Sequence, residues 1–372
     1  MNSFFINLIF LFYVTISITS YKYNKYPVPV HENRHFHGRQ AHFSVPVHEI
    51  SIFYGQQAKF RGVGHKDGIF CGHIELMDYI CKMRASKKIL ITGASGFVGS
   101  RVVEAMQESY ELLTPSHSQL DVTSEDDVEK YIQITRPDVI LHLAALSNTG
   151  YCEEHPQESY LVNVVSVENM AKATARHGIK MVWFSSDQIY NGNVELGLLT
   201  ENLTVAPENH YGRHKLLAEE RAQTICPSSV ALRATWMYDT PRPGMKTHEN
   251  FVINFGNAIE NGTPLRFATR EFRGITWIEE VVKNIPHTFE LPGGVYNFGA
   301  ENHLNTYETA LAYGKILGCD TDRLIQPDNE RYPQHIRNIS ISMKKAYDAS
   351  GGKIQFKNTL EGLEAFFTYC SP

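Results

Sequence analysis

Short apolar runs alternate with amphipathic segments between residues 89 and 233 of this 372-residue chain. The first run, residues 89–92, is rich in β-branched side chains and too short for a helix, so it predicts a buried strand. From residue 100 to residue 109 the apolar positions recur at helical spacing, with Val102, Val103 and Met106 on one face. The chain therefore begins its regular part with a strand followed by a helix.

The same alternation continues as far as residue 233. Ser124 precedes a run of acidic residues, which is typical of a capped helix N-terminus. Alternation of this kind predicts a parallel, doubly wound Rossmann-type sheet in an α/β fold, here within residues 83–235. After Trp236 the regularity weakens, which indicates a smaller, partly discontinuous substrate-binding region in residues 236–372, with some segments returning to the Rossmann domain. The further predicted strands are 110–114, 139–143, 180–185 and 229–233, and the further predicted helices are 124–135, 156–177 and 211–224.

Three glycines connect the first strand to the first helix. Gly93, Gly96 and Gly99 follow one another at intervals of three residues. In this pattern the first glycine allows a sharp turn, the second lets backbone approach a phosphate, and the third lets the helix pack close to the strand. A pyrophosphate then lies on exposed backbone N–H groups at the helix N-terminus. A tight turn without a ligand is the alternative, which the glycines alone leave open.

Composition narrows the classes of partner. The chain is 42% hydrophobic and 20% charged, as expected of a soluble globular protein with one or two domains. A net charge of −5 gives no reason to expect nucleic acid or an anionic membrane as a partner. The six cysteines include no C-x-x-C pair, which argues against zinc sites and against a dense disulfide framework.

The first 82 residues differ from the rest of the chain. Residues 1–20 are strongly apolar and resemble a signal peptide or an uncleaved anchor, although the basic n-region is missing. Residues 21–82 fit neither helical nor strand periodicity, and their scattered histidines do not form a metal-binding pattern. Because Met83 stands just before the first strand, our hypothesis is that residues 1–82 are a leader outside the fold. We expect a cytoplasmic protein without membrane contact of the core domain; the secretory pathway is the alternative.

A tyrosine and a lysine lie one helical turn apart at Tyr211 and Lys215, on one face of a predicted helix. A nearby ammonium stabilises phenolate, so we expect the pKa of Tyr211 to be lowered from about 10. Such a tyrosine exchanges a proton with a substrate oxygen while a hydride moves. Ser186 ends a predicted buried strand, at the sheet edge where ligands bind, and its hydroxyl can hold the substrate carbonyl. A capping role is the alternative for Ser186.

Together these segments carry a family resemblance. From about residue 87 to residue 370 the chain resembles the extended short-chain dehydrogenases/reductases, and within them the dTDP-4-dehydrorhamnose reductase branch, which also includes the methionine adenosyltransferase β subunit. The matching segments are Gly93-Ala-Ser-Gly-Phe-Val-Gly99, Arg136-Pro-Asp-Val, His142-Leu-Ala-Ala145, Asn163 in Leu-Val-Asn-Val, Ser185-Ser-Asp187, Tyr190-Asn-Gly192, Tyr211-x-x-x-Lys215 and Arg233-Ala-Thr-Trp236.

The resemblance implies roles for individual residues. Ser186, Tyr211 and Lys215 would be catalytic, and Asn163 would help to hold the hydration of the lysine. Asp187, Trp236 and Arg273 would contact the substrate, the arginine being suited to a phosphate. Asp121 and Val122 would flank the adenine, and Ala144 and Ala145 would line the cofactor. The full cofactor set is Gly93, Ser95, Gly96, Phe97, Val98, Gly99, Asp121, Val122, Ala144, Ala145, Asn163, Tyr211 and Lys215.

The end of the second strand, residues 113–117, lacks the acidic residue that grips a ribose 2′-hydroxyl. NADP is therefore favoured, with NAD as the alternative, and no metal is expected.

The function expected first is an NAD(P)H-dependent reductase of a 4-keto nucleotide sugar. A sugar-nucleotide epimerase is the second hypothesis; Gln188 after Asp187 argues against a dehydratase. A non-catalytic, NADP-binding regulatory subunit is the third. The sequence leaves open whether two copies of the chain form a homodimer.

Overall fold

A computed structural model describes residues 52–54, 56–58 and 87–370. The first six of these residues form a separate antiparallel pair, β1 (Ile52–Tyr54) with β2 (Gln56–Ala58), in a unit that spans residues 1–74. The other described residues belong to a second unit, residues 75–372. The apolar segment 1–20, the histidines before residue 83 and nearly all of the expected leader lie outside the described residues. No helix among those described is long and apolar enough to cross a membrane.

The second unit alternates strands and helices as far as residue 234 and continues with shorter elements. Its strands are β3 (Lys88–Thr92), β4 (Glu111–Leu113), β5 (Val139–His142), β6 (Lys180–Ser186), β7 (Val230–Ala234), β8 (Trp236–Tyr238), β9 (Leu265–Ala268), β10 (Glu271–Phe272), β11 (Ile275–Trp277), β12 (Gly294–Phe298), β13 (Ile325–Asp328) and β14 (Arg337–Asn338). Its helices are α1 (Phe97–Met106), α2 (Glu125–Thr135), α3 (Thr149–Glu154), α4 (Pro156–Tyr160), α5 (Ser166–His177), α6 (His210–Ile225), α7 (Phe251–Asn261), α8 (Ile278–Thr288), α9 (Thr306–Ile316), α10 (Thr321–Leu324), α11 (Lys344–Ala349) and α12 (Thr359–Cys370).

Six of these strands form one parallel sheet in the order β12-β7-β6-β5-β3-β4. The prediction of a doubly wound parallel α/β fold is confirmed. The chain leaves β3 towards β4 on one side and later returns to place β5 on the other side. The carboxyl end of β3 is therefore the topological switch point, where ligands bind in sheets of this kind. The glycine turn begins there.

Two predicted helices differ in detail. Helix α1 begins at Phe97, three residues before the predicted start, because the glycine turn leads directly into it. The predicted helix 156–177 is divided into α4, a π-helical turn Leu161–Val165, and α5. The Ser166 hydroxyl donates a hydrogen bond to the carbonyl of Val162 within this turn. Insertions of this kind are frequent at functional sites, and here the turn carries Asn163.

Six of the seven strands after β7 pair with one another outside the main sheet. Three two-stranded parallel pairs, β8 with β11, β9 with β13 and β10 with β14, surround a core that is rich in aromatic rings. Phe255 lies 5.0 Å from Tyr313 between ring centroids, and Tyr238 lies 5.4 Å from Phe366. Strand β12 joins the main sheet beside β7. Because these pairings join segments far apart in sequence, the arrangement could not be expected from local periodicity.

Candidate active site

The glycine turn leaves room for a ligand at one glycine only. Gly93 has a φ of +70°, and a Cβ there would lie 2.7 Å from the backbone nitrogen of Ala144. A Cβ on Gly99 would lie 2.2 Å from the carbonyl oxygen of Gly93, so this glycine lets helix and strand pack closely. A Cβ on Gly96 would meet only that same oxygen, at 3.1 Å. Gly93 and Gly99 are therefore required by packing, whereas Gly96 tolerates a Cβ with a small local adjustment.

The N-terminus of α1 is free to bind an anion. Gly96 stands at the N-cap position without a capping side chain, whereas Ser124 caps α2 and Asn209 caps α6 through hydrogen bonds to backbone nitrogens. The first backbone N–H groups of α1, at Phe97 and Val98, therefore point away from the helix without a side-chain acceptor from this cap. The first turn contains no acidic residue that would repel a phosphate. The turn, with Ser95 exposed at its tip, fits the pyrophosphate of a dinucleotide.

Hydrogen bonds fix the segment that follows β5. The backbone N–H of Ala144 donates to Thr92 Oγ1 at 3.3 Å. The backbone of Leu146, two residues after Ala144, exchanges two hydrogen bonds with the side chain of Asn163, at 3.2 Å and 2.9 Å. The side-chain amide of Asn163 is thus bonded to the chain itself, and it fixes the stretch that contains Ala144 and Ala145. The expected role of Asn163 in holding the hydration of the lysine stays a prediction.

Asp121 and Val122 lie half-buried after the loop that follows β4. Both the backbone N–H and the hydroxyl of Thr123 donate hydrogen bonds to Asp121 Oδ1, at 2.9 Å and 2.7 Å. Both hydrogen bonds hold the pKa of Asp121 below its usual range, and the bond from the hydroxyl has the larger effect. The carbonyl of Val122 accepts a hydrogen bond from Asn169 at 3.2 Å. The two residues form a rigid corner of the chain, with Ser116, His117 and Ser118 exposed before it.

Helix α6 presents Tyr211 and Lys215 to the end of β6. Both side chains are buried, and Ser186, the last residue of β6, is 7% exposed. Lys215 Nζ donates a hydrogen bond of 2.9 Å to the carbonyl of Phe184, and it lies 5.8 Å from the centre of the Tyr211 ring. Ser186 Oγ accepts a hydrogen bond from the backbone N–H of Gln188 at 3.2 Å, so this serine also caps the 3₁₀ turn Asp187–Tyr190.

A glycine allows this close approach of α6 to the turn. A Cβ on Gly212 would lie 2.4 Å from the carbonyl oxygen of Gln188. The glycine beside Tyr211 therefore lets the helix lie directly against the residues that follow Ser186. Sequence reasoning identified Tyr211, Lys215 and Ser186 but assigned no role to this glycine.

The protonation states suit a proton donor. Burial raises the pKa of Tyr211, and a side-chain interaction with Ser186 opposes that rise. Burial lowers the pKa of Lys215 to about 8, against the opposing effect of Cys152 and Glu219. The expected lowering of the Tyr211 pKa by Lys215 is therefore not found in the described chain, because desolvation dominates and Lys215 is bonded to the strand backbone. The phenol carries its proton at neutral pH.

Three residues that the sequence assigned to the substrate lie together. The guanidinium of Arg273 stacks over the ring of Trp236 at 4.8 Å, and its Nη2 lies 4.0 Å from Asp187 Oδ2. The parallel pairing of β8 with β11 brings residues 236 and 273 together, with Ile275 opposite Trp236. Burial raises the pKa of Asp187, while Arg273 and Arg337 oppose that rise. Burial lowers the pKa of Arg273.

A cavity of about 280 Å³ opens beside Arg273 and Trp236. Its size approaches that of pockets that hold small molecules. Three aromatic and three cationic side chains lie in its wall together with the carboxylate of Glu271: Trp236, Phe251, Phe267, Arg266, Arg273 and Arg331.

Sequence reasoning missed Arg331 and Arg337. Arg337 is placed opposite Glu271 by the two-residue pairing of β10 with β14, and the two side chains form an ion pair. Arg337 also donates hydrogen bonds to Gln188 at 2.9 Å and to Asn191 at 2.7 Å. It therefore braces the turn that follows Ser186. A strand of two residues leaves no periodic signal, so only the tertiary fold reveals this arginine.

Among the described residues, no group of three or more His, Cys, Asp or Glu side chains could hold a metal ion.

Comparisons with known proteins agree with the fold. A family model described as the RmlD substrate binding domain matches residues 87–362. The dTDP-4-dehydrorhamnose reductase of Mycolicibacterium smegmatis is 31% identical over 284 residues, which cover 75% of this chain and 84% of that protein. Methionine adenosyltransferase 2 subunit beta of Xenopus laevis is 32% identical over 255 residues, covering 64% of this chain and 75% of that protein.

Solved structures share the fold. The dTDP-4-dehydrorhamnose reductase of Bacillus anthracis in complex with NADP superposes with a TM-score of 0.67 at 21% identity, covering 76% of this chain and 99% of that one. The UDP-glucose 4-epimerase of Thermus thermophilus in complex with NAD gives a TM-score of 0.60 at 21% identity, covering 76% of this chain and all of that one. The resemblance stated from the sequence is confirmed.

Proposed function

The chain belongs to the RmlD substrate binding domain family, and from that premise we propose that it is an NADPH-dependent reductase of a 4-keto nucleotide sugar, of the dTDP-4-dehydrorhamnose reductase type. The observation that carries the proposal is the meeting of Ser186 and the protonated, buried Tyr211 at the end of β6. Arg273, which lies 4.0 Å from Asp187 in the turn after Ser186, also lines a cavity whose wall includes aromatic rings and arginines. NAD is the alternative cofactor.

The residues of the chain divide the work of a carbonyl reduction. A bound reduced nicotinamide supplies the hydride to the carbonyl carbon. Ser186 orients the carbonyl oxygen with its hydroxyl, and Tyr211 gives its phenolic proton to that oxygen as charge develops there. Lys215, one helical turn from Tyr211, donates a hydrogen bond to the carbonyl of Phe184, and as a member of the expected cofactor set it would hold the cofactor beside Tyr211. The ketone thus becomes an alcohol, and Tyr211 recovers its proton from solvent.

The cavity suits the nucleotide part of such a substrate. Phe251 and Phe267 offer flat apolar surfaces for a base, and Arg266 and Arg331 offer positive charge for the diphosphate. Arg273 stacks over Trp236 in the cavity wall and lies 4.0 Å from Asp187, which suits a sugar between the diphosphate and Tyr211. Bacterial relatives that are dTDP-4-dehydrorhamnose reductases agree with a dTDP-linked substrate.

NADP is the favoured cofactor. The exposed stretch of Ser116, His117 and Ser118 after β4 carries no carboxylate that would repel a 2′-phosphate. The nearest acidic group along the chain, Asp121, is engaged by Thr123. The reductase of Bacillus anthracis was solved with NADP.

A regulatory role is the second candidate function, because the chain is 32% identical to a methionine adenosyltransferase 2 subunit beta. Ser186, Tyr211 and Lys215 are all present and buried at the end of β6, which favours the enzyme. An epimerase would return its cofactor to the starting redox state in each cycle. The two enzyme classes therefore differ in net consumption of NADPH.

Incubation with NADPH and a panel of 4-keto nucleotide sugars tests these alternatives. A reductase consumes NADPH in proportion to the alcohol formed. An epimerase changes the sugar without net NADPH loss. A regulatory subunit binds NADPH without turning over any member of the panel, and this last outcome would overturn the proposal.

We place the enzyme in the cytoplasm, because the reaction draws on reduced nicotinamide and nucleotide sugars. The chain carries three formal glycosylation sequons, at Asn202, Asn261 and Asn338, of which the first two are exposed. Asn338 is 1% exposed, and its amide donates hydrogen bonds to the carbonyls of Glu195 and Gly197, so it is not accessible to a glycan. Absence of N-glycans on the native protein is the expected result. A homodimer is also proposed, and sedimentation analysis tests it.

A further inference from the structure

A buried ion pair joins helix α6 to the main sheet. Glu219 of α6 and Arg233 of β7 are 3% and 4% exposed. The guanidinium of Arg233 donates from Nε to both carboxylate oxygens of Glu219, at 3.0 Å and 3.2 Å, and from Nη2 to one of them at 2.7 Å. A fork of this kind fixes the relative orientation of the two side chains as well as their distance. The proposed reduction uses neither residue.

The same guanidinium reaches the turn that follows Ser186. Arg233 Nη1 donates a hydrogen bond of 2.9 Å to the hydroxyl of Tyr190, the last residue of the 3₁₀ turn that Ser186 caps. The Tyr190 hydroxyl donates in turn to Asn297 Oδ1 of β12, also at 2.9 Å. Tyr190 and Asn297 are fully buried. The carboxylate, the guanidinium, the phenol and the amide therefore form one continuous network inside the protein.

The network contacts both elements that carry the proposed chemistry. Glu219 follows Lys215 by four residues and Tyr211 by eight, so these three buried side chains share one face of α6. Arg233 lies opposite Ser185 in the pairing of β7 with β6, one residue before the end of β6. One guanidinium is thus bonded to the helix that presents the proton donor and to the turn that begins where β6 ends.

Stability alone does not account for a fully buried ion pair. Taking two charges out of water carries a desolvation penalty, and apolar replacements of similar volume often leave stability unchanged or raise it. A fully bonded polar network does, however, hold its members in one geometry. Here it would fix the placement of the Tyr211 phenol relative to the Ser186 hydroxyl, and misplacement by about 1 Å lowers the rate of a reaction by roughly 10²-fold.

Resting on the proposed function, we propose that Glu219, Arg233 and Tyr190 are positioning residues for the carbonyl reduction. The guanidinium holds the face of α6 that carries Tyr211 in a fixed position relative to Ser186. The three residues act on proton transfer through Tyr211 and bind neither the substrate nor the cofactor. Their removal should therefore slow the chemical step and leave the binding of both ligands unchanged.

The test removes the ion pair without leaving a buried charge behind. In the double variant Glu219→Leu/Arg233→Met, apolar side chains of similar volume replace both partners, so the urea midpoint should stay close to that of the wild type. With NADPH and a 4-keto nucleotide sugar, kcat should fall by roughly 10- to 10²-fold. The KM for the sugar and the Kd for NADPH should change by less than about threefold, because only the transition state loses an interaction. Wild-type kcat in the folded double variant would overturn the proposal.

A single substitution tests the network if the double variant does not fold. Tyr190→Phe keeps the ring and removes the hydroxyl that joins Arg233 to Asn297, so kcat should fall by about threefold to tenfold at unchanged KM. Tyr296→Phe is the matched control. Tyr296 is 3% exposed on β12, and its hydroxyl donates to the carbonyl of Pro292 at 3.0 Å, so this variant also loses a buried hydrogen bond but should keep the wild-type kcat. Equal kcat in the two variants would overturn the proposal.

Amide hydrogen exchange distinguishes a failure of the positioning network from a failure of the proposed function. If the wild type reduces no 4-keto nucleotide sugar, the proposed function is wrong, and the backbone N–H groups of residues 211–219 still report on the network. They should exchange at least about tenfold faster in the double variant than in the wild type, while those of β3 keep the wild-type rate. Unchanged exchange in α6 would overturn the positioning role, whether or not the protein is a reductase.

Discussion

His142 Nδ1 lies 2.7 Å from Thr92 Oγ1, where the paired strands β5 and β3 end side by side at the glycine turn. The other ring nitrogen, Nε2, lies 3.1 Å from Ser166 Oγ, whose own proton is donated to the carbonyl of Val162. Ser166 must therefore accept from His142 Nε2–H, and Nδ1 accepts from Thr92. The neutral imidazole links the start of the glycine turn to the π-helical turn that carries Asn163.

This histidine makes stability depend on pH. Burial, followed by the charge of Lys215, lowers the pKa of His142 from 6.5 to about 3. Below pH 6.5 this histidine binds a proton in the unfolded chain but not in the folded chain. The contribution of the neutral histidine to the free energy of unfolding is therefore complete above pH 6.5 and is lost as the pH falls towards 3. We expect the wild-type free energy of unfolding in urea to fall faster than that of His142→Gln across this interval. The difference in slope is at most about 1.4 kcal/mol per pH unit. Parallel curves for the two proteins would contradict the assignment.

Five of the six strands of the main sheet could be predicted because each has a local signature, whereas β12 was not predicted because the regularity weakens after Trp236. Residues 89–91 are fully buried on both faces and are uniformly apolar, so a short run between turn signals identified β3. The same argument identified β5, β6 and β7. The division of the predicted helix 156–177 could not be predicted, because a hydrogen bond of Ser166 within the turn has no sequence signature that differs from an ordinary helix.

The site was predictable where spacing determines geometry. Tyr211 and Lys215 are one turn apart on any helix, and Ser186 ends a strand at the ligand-binding edge. The pKa of Tyr211 was not predictable, since its sign depends on burial that only tertiary packing determines. Sequence reasoning also did not identify Arg337. Its position depends on pairing with Glu271, and the two residues are 66 positions apart in the sequence.

The glycine turn offers a matched pair of substitutions. Gly96→Val places a branched side chain where only Gly93 O lies near, so the fold should persist while NADPH binding is lost. Gly99→Ala instead forces a Cβ to within 2.2 Å of Gly93 O and should destabilise the protein by about 1–3 kcal/mol. Calorimetric titration with NADPH and urea unfolding separate the two effects. Unchanged affinity in Gly96→Val would mean that the turn is structural only.

Turnover should depend on Tyr211. Tyr211→Phe removes the proton donor and keeps the ring, so kcat should fall by roughly 10²–10⁴-fold while the affinity for NADPH changes little. Single-turnover oxidation of NADPH with a reducible nucleotide sugar measures the chemical step directly. Serine at position 186 remains in this variant and holds the carbonyl as before. Near-normal turnover would refute the assignment of Tyr211.

The shorter chain 83–372 should fold and bind NADPH without the residues that precede it. All six strands of the main sheet lie between Lys88 and Phe298, and β1 and β2 pair with each other. The glycine turn, Tyr211 and the cavity also lie in the unit of residues 75–372. We therefore expect the shortened protein to be monodisperse, to unfold in one cooperative transition, and to bind NADPH with the affinity of the full chain. A chain that begins at Gly93 is the control; it lacks β3, which pairs with both β4 and β5, and should not fold. If only the full-length protein folds, residues 1–82 belong to the functional enzyme and the proposed leader is wrong.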